Sequence, residues 1–355
     1  MPRKKAVTLS DLSRQLGLSV YTVSKALRGL PGMSEETRAA VVKAAAKLGY
    51  RTKDQERSLA VERIPIIPHQ QRHFKFIISG QTGNSRMYQL LLEGLQEKLS
   101  EYGHLIETLV LPSGLNAPAS FAAWTERHHL QFVDGVFLPP MLPPPYEKLL
   151  LGLDIPRVLL NFPPPSAETD SLAWDVGTAI HQSVRHLLDN GHRRILYVGS
   201  IHDHRGLALR WHSFVNAMRE TGQEPVAAEH VTGRFALRDL WLREIAEKLP
   251  AMGATAILCA VGDNLAWIYH ACSSLGLRIP DDCSLISLEH EALETMPELS
   301  RPILLIRETG VRAAERMLWR LANPGLPFEH ILLQGGFFKG KTVLPRKEDE
   351  ARRRR

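Results

Sequence analysis

From Phe74 to Glu289, short apolar runs alternate with longer amphipathic ones, and that rhythm leaves the chain few folds to adopt. FKFII (74–78) has no polar alternation and reads as a strand buried on both faces. A helical pattern over 87–101 follows, then HLIETLVL (104–111), a helix around 118–130, VDGVFLP (133–139) and IPRVLLN (155–161). The rhythm then restarts. A helix at 176–189 leads to RRILYVG (193–199), helices at 207–221 and near 236–248, AILCA (256–260), a helix at 263–275 and CSLISLE (283–289). Strand–helix alternation of this kind builds parallel sheets covered by helices on both faces. Two successive runs predict two lobes, with a cleft outside the strand C-termini where ligands bind. The proline clusters LPPMLPPPY (138–146) and FPPPS (162–166) each follow a strand and read as rigid rim loops.

A different pattern precedes this body. In TLSDLSRQLGLSVYTVSKALRG (8–29), Leu9, Leu12 and Leu16 recur at helical spacing. Thr8 or Ser10 can cap that helix, and Gly17 can end it in the left-handed conformation that glycine tolerates. Ser19 caps a second helix that turns Val23, Ala26 and Leu27 inward and ends at Gly29. Ser34 caps a third, with Glu35 and Glu36 in its first turn and Gly49 at its end. The first two helices form a helix-turn-helix, whose second helix would enter a DNA major groove. A helical hairpin that merely packs would show the same apolar spacing, so charge has to discriminate.

The charge is unevenly placed. Residues 1–63 hold thirteen Lys and Arg against six Asp and Glu, a net +7, whereas the remainder holds thirty-one against thirty-two. A basic head on a near-neutral body points to a polyanion bound at the head. The outward side chains Val20, Tyr21, Thr22, Ser24 and Lys25 suit groove and phosphate contacts. Residues 50–63 form a polar linker with one apolar island, Leu59 to Val61, that needs a partner to order it.

Several function classes are disfavoured. No apolar run approaches the roughly 18 residues of a membrane span, and no basic-then-apolar signal peptide opens the chain, so a cytoplasmic location is expected. Cys259, Cys272 and Cys283 form neither a zinc spacing nor an even disulfide set. His202, Asp203 and His204, like His128 and His129, lack helical ligand spacing and an evident third ligand, so no metal is expected. No GxSxG, Walker or Rossmann glycine pattern occurs, and neither an enzyme nor a cofactor is expected.

The order of head, linker and two-lobed body resembles the lactose-repressor/galactose-repressor family of bacterial transcription regulators. The resemblance is strongest at VTLSDLSRQLGLSVYTVSKALRG (7–29) and continues through DIPRVLLN (154–161), NGHRRILYVG (190–199) and LGLRIPDDCSLISLE (275–289). It implies an all-α helix-turn-helix head over 1–50, a hinge helix and linker over 51–72, and a periplasmic-binding-protein-like α/β body over 73–345. One lobe would span about 73–167 plus 296–323, the other about 168–295 plus 324–345, with a disordered charged tail at 346–355. It also implies a homodimer on a double-stranded DNA operator. DNA contacts would come from Thr8, Ser19, Val20, Tyr21, Thr22, Ser24, Lys25 and Arg28, with Leu59 as a wedge in the minor groove. The cleft would hold a small-molecule effector, a carbohydrate or derivative, at Ser85, Asp175, Arg210, Phe235, Asp263 and Glu289.

The chain departs from the family in two places. At the hinge, Glu56 stands where a small residue is usual and Thr52 where proline is common, and a carboxylate there is unfavourable near DNA. In the cleft, TGNSRMY (82–88) replaces the usual aspartate and Asn-Pro-Phe, and Val261 and Gly262 occupy the usual Asn-Asp positions. A solute-binding protein of the periplasmic type would share the body, and the basic head is what separates the two readings.

Overall fold

A computed structural model describes residues 7–27, 30, 32–48, 50, 71–80, 85–115, 118–234, 238–262 and 265–346. The chain divides into two compact units, with the boundary between residues 66 and 67.

Among the described residues the first unit contains three helices: α1 (Leu9–Leu16), α2 (Val20–Leu27) and α3 (Glu35–Leu48). Thr8 starts α1 with a reciprocal cap. Its Oγ1 accepts from the Asp11 N–H at 3.3 Å, and Asp11 Oδ2 accepts from the Thr8 N–H at 2.9 Å. Gly17, at φ 65°, ends α1 in the left-handed conformation. Ser19 Oγ accepts from the Thr22 N–H at 3.0 Å, and Ser34 Oγ from the Thr37 N–H at 3.2 Å, which starts α2 and α3. Leu12, Val23, Ala26, Val41 and Ala45 form the core, rimmed by Leu9, Leu16, Leu18, Leu27, Met33, Leu48 and Tyr50. Gly29 and Gly49, expected to end α2 and α3, lie outside the described residues, as does the linker from 51 to 70 with Glu56, Thr52 and Leu59.

The second unit holds two parallel sheets. The larger has six strands in the order β10-β5-β4-β3-β1-β2: β1 (His73–Ser79), β2 (Leu105–Leu111), β3 (Gly135–Leu138), β4 (Arg157–Leu159), β5 (Asp170–Trp174) and β10 (His330–Leu333). On one face, Ile77, Leu109, Val136, Leu138 and Leu159 pack on Phe121 and Trp124 of α5 (Pro118–Arg127) and Tyr146 and Leu150 of α6 (Pro144–Leu151). The other face turns Phe74, Phe76 and Phe137 toward α4 (Arg86–Glu101) and α11 (Ile306–Ala322), with Phe76 edge-on to Tyr88 at 6.1 Å.

Helices α4 and α11 touch backbone to backbone. A Cβ on Gly94 would lie 2.0 Å from the Arg307 carbonyl oxygen, and one on Gly310 would lie 2.3 Å from that of Leu91. Only glycine permits that approach.

The smaller sheet runs β6-β7-β8: β6 (Ile195–Val198), β7 (Ala256–Cys259) and β8 (Ser284–Ser287). α7 (Val176–Asp189) and α8 (Arg205–Arg219) precede and follow β6; α9 (Arg238–Met252) and α10 (Leu265–Ser274) flank β7. Trp241, Ile245 and Leu249 of α9 and Ile268 of α10 cover Leu196, Ile257 and Leu285 on one face. On the other, Tyr197 meets Trp211 and Phe214 of α8, each at 5.1 Å between ring centroids. A short antiparallel pair, β9 (Arg301–Pro302) with β11 (Phe337–Phe338), lies in the return segment.

Three features differ from the sequence expectation. The lobe crossover anticipated at 167/168 comes later, because β5 pairs with β4 and β10 pairs with β5, all within the larger sheet. The proline run expected to be only a loop instead starts α6, since proline at a first helical position costs no hydrogen bond. The helix at 118 stops at Arg127, before a 3₁₀ turn at Leu130–Phe132.

Asp170 anchors β5 to α11. Buried completely, it accepts from Arg316 Nε at 2.9 Å, from Arg320 Nε at 2.6 Å and from the Glu329 N–H at 2.9 Å. Burial alone would raise its pKa, but hydrogen bonds from Arg320 and Arg316 outweigh that and hold it below the ordinary carboxylate value. Its stabilisation is therefore complete above the ordinary carboxylate range and is lost as pH falls through the depressed folded value. Asp170→Asn should cost about 3–5 kcal/mol by leaving the buried Arg320 without its carboxylate and Arg316 with Glu329 alone. Urea midpoints across acid pH check this, and the variant should lose part of the wild type's acid dependence.

Candidate nucleic-acid interface and effector cleft

The first candidate surface is α2. Val23 and Ala26 hold it in the core, while Val20 and Tyr21 stand 42% and 71% exposed at its first turn. The N-terminal residues of a recognition helix are the ones that reach base edges. Thr22, Ser24 and Lys25 are half-buried along the same helix. Thr8 and Ser19, expected as DNA contacts, use their hydroxyls as helix caps. Arg28 and Leu59 lie outside the described residues, as do Arg3, Lys4 and Lys5.

The second candidate site lies where the strand C-termini of the two sheets meet. Arg210 on α8 is 6% exposed, and its Nη1 donates to the Ala260 carbonyl at 2.5 Å, just past β7. Burial lowers its pKa, yet a guanidinium remains charged. Tyr197, the third residue of β6, is fully buried, and burial raises its pKa. His204, just before α8, is pushed down to about 3, first by burial and then by the charge of Arg210. Glu289, past the end of β8, is buried and accepts from Ser287 Oγ at 2.5 Å. Burial, reinforced by the charge of Glu289, pushes the Cys259 thiol up to about 12.

The structure does not join all the expected effector residues. Arg210 and Glu289 both flank the smaller sheet's cleft end, where Glu289 accepts from Ser287 and Arg210 donates to the Ala260 carbonyl. Asp175 caps α7, accepting from the Thr178 N–H at 2.9 Å and the Thr178 hydroxyl at 2.6 Å. Ser85 precedes α4 without capping it through its side chain. Phe235 and Asp263 lie outside the described residues, together with Asn264 and residues 82–84.

Sequence reasoning missed four residues that tie the lobes together. Arg86, at the start of α4, binds Glu291 beyond β8 through Nε at 2.5 Å and Nη2 at 2.9 Å. Arg205, at the start of α8, reaches back to Glu147 of α6 at 2.8 Å and to the Phe162 carbonyl at 2.8 Å. Charged residues at helix starts look like ordinary solvated faces in a sequence. Only the fold shows that these four meet across a cleft. Tyr197 was hidden differently, as one apolar residue of a buried strand.

Among the described residues no group of three or more His, Cys, Asp or Glu is placed to hold a metal ion, and no helix is long and apolar enough to cross a membrane. All three cysteines are free and buried.

Residues 8–53 match the bacterial regulatory proteins of the lacI family, and residues 184–343 match the periplasmic binding protein-like domain. The chain is 25% identical to catabolite control protein A of Priestia megaterium over 89% of this chain and 93% of that protein. It is 23% identical to the HTH-type transcriptional repressor PurR of Mannheimia succiniciproducens over 88% and 90%. Among solved structures it is similar to a transcriptional regulator CelR–cellobiose complex, with TM-score 0.66, 20% identity and coverage of 95% of this chain and 99% of that one. It is also similar to a lac repressor dimer bound to operator and the anti-inducer ONPF, with TM-score 0.64, 19% identity and coverage of 96% and 100%. The chain thus carries a lacI-family helix-turn-helix head and a periplasmic-binding-protein-like body, and over nearly its whole length it is similar to DNA-binding transcriptional regulators of the LacI/GalR family. The head that matches this family leaves no place for the solute-binding alternative.

The two interlobe ion pairs give a test of the cleft. The Arg86–Glu291 pair is partly exposed and worth up to about 1 kcal/mol, a factor of about five in the closed-to-open ratio, whereas the Arg205–Glu147 pair has a buried carboxylate. The double variant Glu147→Gln with Glu291→Gln should show a larger radius of gyration in solution scattering than the wild type. Equal radii would show that these pairs do not hold the lobes together.

Proposed function

We propose that this regulator acts in the cytoplasm as a homodimeric repressor whose operator affinity is set by a small molecule, a sugar or derivative, in the cleft. The observation that carries the DNA half is the two-faced α2: Val23 and Ala26 are locked in the core while Val20 and Tyr21 are left free at the helix's leading turn. Val20 offers a methyl contact to thymine, and Tyr21 a hydroxyl and ring edge to bases. Lys25 and Arg28 supply base or phosphate contacts one to two turns on, and Leu59 acts as the minor-groove wedge between half-sites. The operator-bound dimer among the similar structures supports this arrangement.

For the effector half, Arg210 and Glu289 line the smaller sheet's side of the cleft, Ser85 the larger sheet's side, and Phe235 and Asp263 complete the set. Asp175 supports the pocket from the α7 terminus. Cellobiose and ribose complexes among the similar structures support a carbohydrate-sized ligand.

Operator selection from random DNA tests the reading. The double exchange of Val20 and Tyr21 should change the selected site, at about 1–3 kcal/mol per affected base pair. Arg3→Ala or Lys4→Ala should instead lower affinity for all sequences alike and reduce the salt slope by about one per lost contact. If the double mutant and the wild type select the same site, α2 is not the reader.

A further inference from the structure

The smaller sheet's cleft end contains a charge that no other described side chain there answers. Elsewhere the chain pairs its buried arginines: Arg316 and Arg320 share Asp170, and Arg316 also reaches Glu329 at 2.8 Å. Arg210 is as deeply buried as those two, but among the described residues its one hydrogen bond is to a neutral carbonyl, that of Ala260. Its Nε is buried and has no partner among the described residues. The titrating groups whose fields reach it, Tyr197 and Cys259, are both held protonated by burial. His204 is held neutral. Glu289, the carboxylate expected to share the work, accepts from Ser287 and lies in the field of Arg301.

Two more buried polar atoms at the same place lack partners among the described residues: Tyr197 Oη and His204 Nδ1. Glycines shape this corner. A Cβ at Gly199 would lie 3.2 Å from Tyr197 Oη and 3.1 Å from Ala260 Cβ, and one at Gly206 would lie 3.3 Å from the His204 ring.

A buried guanidinium without a counter-ion is costly, and its planar fork matches an oxyanion with two acceptor oxygens. Hydroxyls of a neutral sugar would satisfy the N–H groups but leave the charge uncompensated. We infer that the effector presents a carboxylate or phosphate group to Arg210, with Tyr197 and His204 as neutral hydrogen-bonding partners beside it, so that this cleft selects an acidic sugar derivative over its neutral parent. The inference rests on the reading that the cleft is the effector site.

Two measurements on the full-length protein test it. The first needs no ligand. Arg210→Met removes the charge while keeping an unbranched apolar stem, and its urea midpoint should stay at or above that of the wild type. A clear fall, comparable to that of Asp170→Asn, would mean that Arg210 already has a counter-ion and would overturn the inference. The second compares thermal stabilisation and operator affinity in the presence of glucose, galactose and mannose with the same measurements on their uronates and hexose phosphates. An acid that outperforms its parent, with about tenfold or greater loss of apparent affinity in Arg210→Met, supports the inference. The uronate and phosphate arms tell the two anions apart. A neutral parent that binds equally well overturns the anion requirement while leaving the cleft an effector site. An acid response that Arg210→Met leaves unchanged places the ligand elsewhere and overturns both readings. If no member of the panel binds, the midpoint of Arg210→Met decides the charge argument.

Discussion

The larger sheet closes around a single carboxylate. Asp170 opens β5, receives two guanidiniums from one face of α11, and accepts the Glu329 N–H that leads into β10. Arg320 also donates to the Leu326 carbonyl at 2.6 Å and to the Pro327 carbonyl at 2.8 Å, so the turn after α11 is held by the same cation. Trp319 lies under Arg316 at 3.9 Å, and Phe328 under Arg320 at 4.7 Å. Desolvating three charges is costly, and close ion pairing with several hydrogen bonds is what makes such a cluster tolerable. Apolar packing alone would let β5 slide, whereas this node allows one register for β5, α11 and β10 together. Because the chain leaves the larger sheet straight after β5, that register also sets where α7 begins and hence where the second lobe starts.

A steric constraint works beside the electrostatic one. The contact of α4 with α11 at Gly94 and Gly310 brings two helix backbones closer than any side chain would permit. It fixes α4, and α4 carries Arg86 at its leading end, against Glu291 of the other lobe. The cleft geometry is therefore inherited from packing within one lobe. A glycine pair buried under the sheet aims the ion pair that spans the opening.

Much of this was legible in the sequence, for identifiable reasons. Helices and strands with a clean period appear where expected: α7 at Val176–Asp189, β7 within AILCA, and the three head helices with Thr8, Ser19 and Ser34 as caps. Sheet membership was not legible, because period reports which face of a strand is buried and not which neighbour it docks on. No strand is read from the sequence at β5, and the lobe bounds implied by the resemblance place β5 and β10 apart from the sheet that holds them. Nor was α6 legible, since a proline run marks a loop and a helix start with the same letters. In the cleft, Arg210 and Glu289 could be picked out by their resemblance to family positions. That their described hydrogen bonds go to separate partners could not, because this depends on Ser287 taking one side of the carboxylate and on a carbonyl taking one edge of the guanidinium.

That separation bears on how a site can signal. If Arg210 and Glu289 bonded each other, a ligand would have to break a buried pair before gaining any contact, and much of its binding energy would be consumed in the exchange. With no carboxylate bonded to Arg210 among the described residues, an oxyanion placed there would gain a charge-assisted contact without displacing one. The differential affinity between open and closed lobes can then be large, and a ligand shifts an equilibrium only by its differential affinity. The ion pairs at the rim act in the opposite way. Each has a partly exposed arginine, and they bias closure without locking it. Weak rim contacts combined with a strong buried contact available only to the ligand leave the lobes' equilibrium under the ligand's control, as a regulator's switch requires.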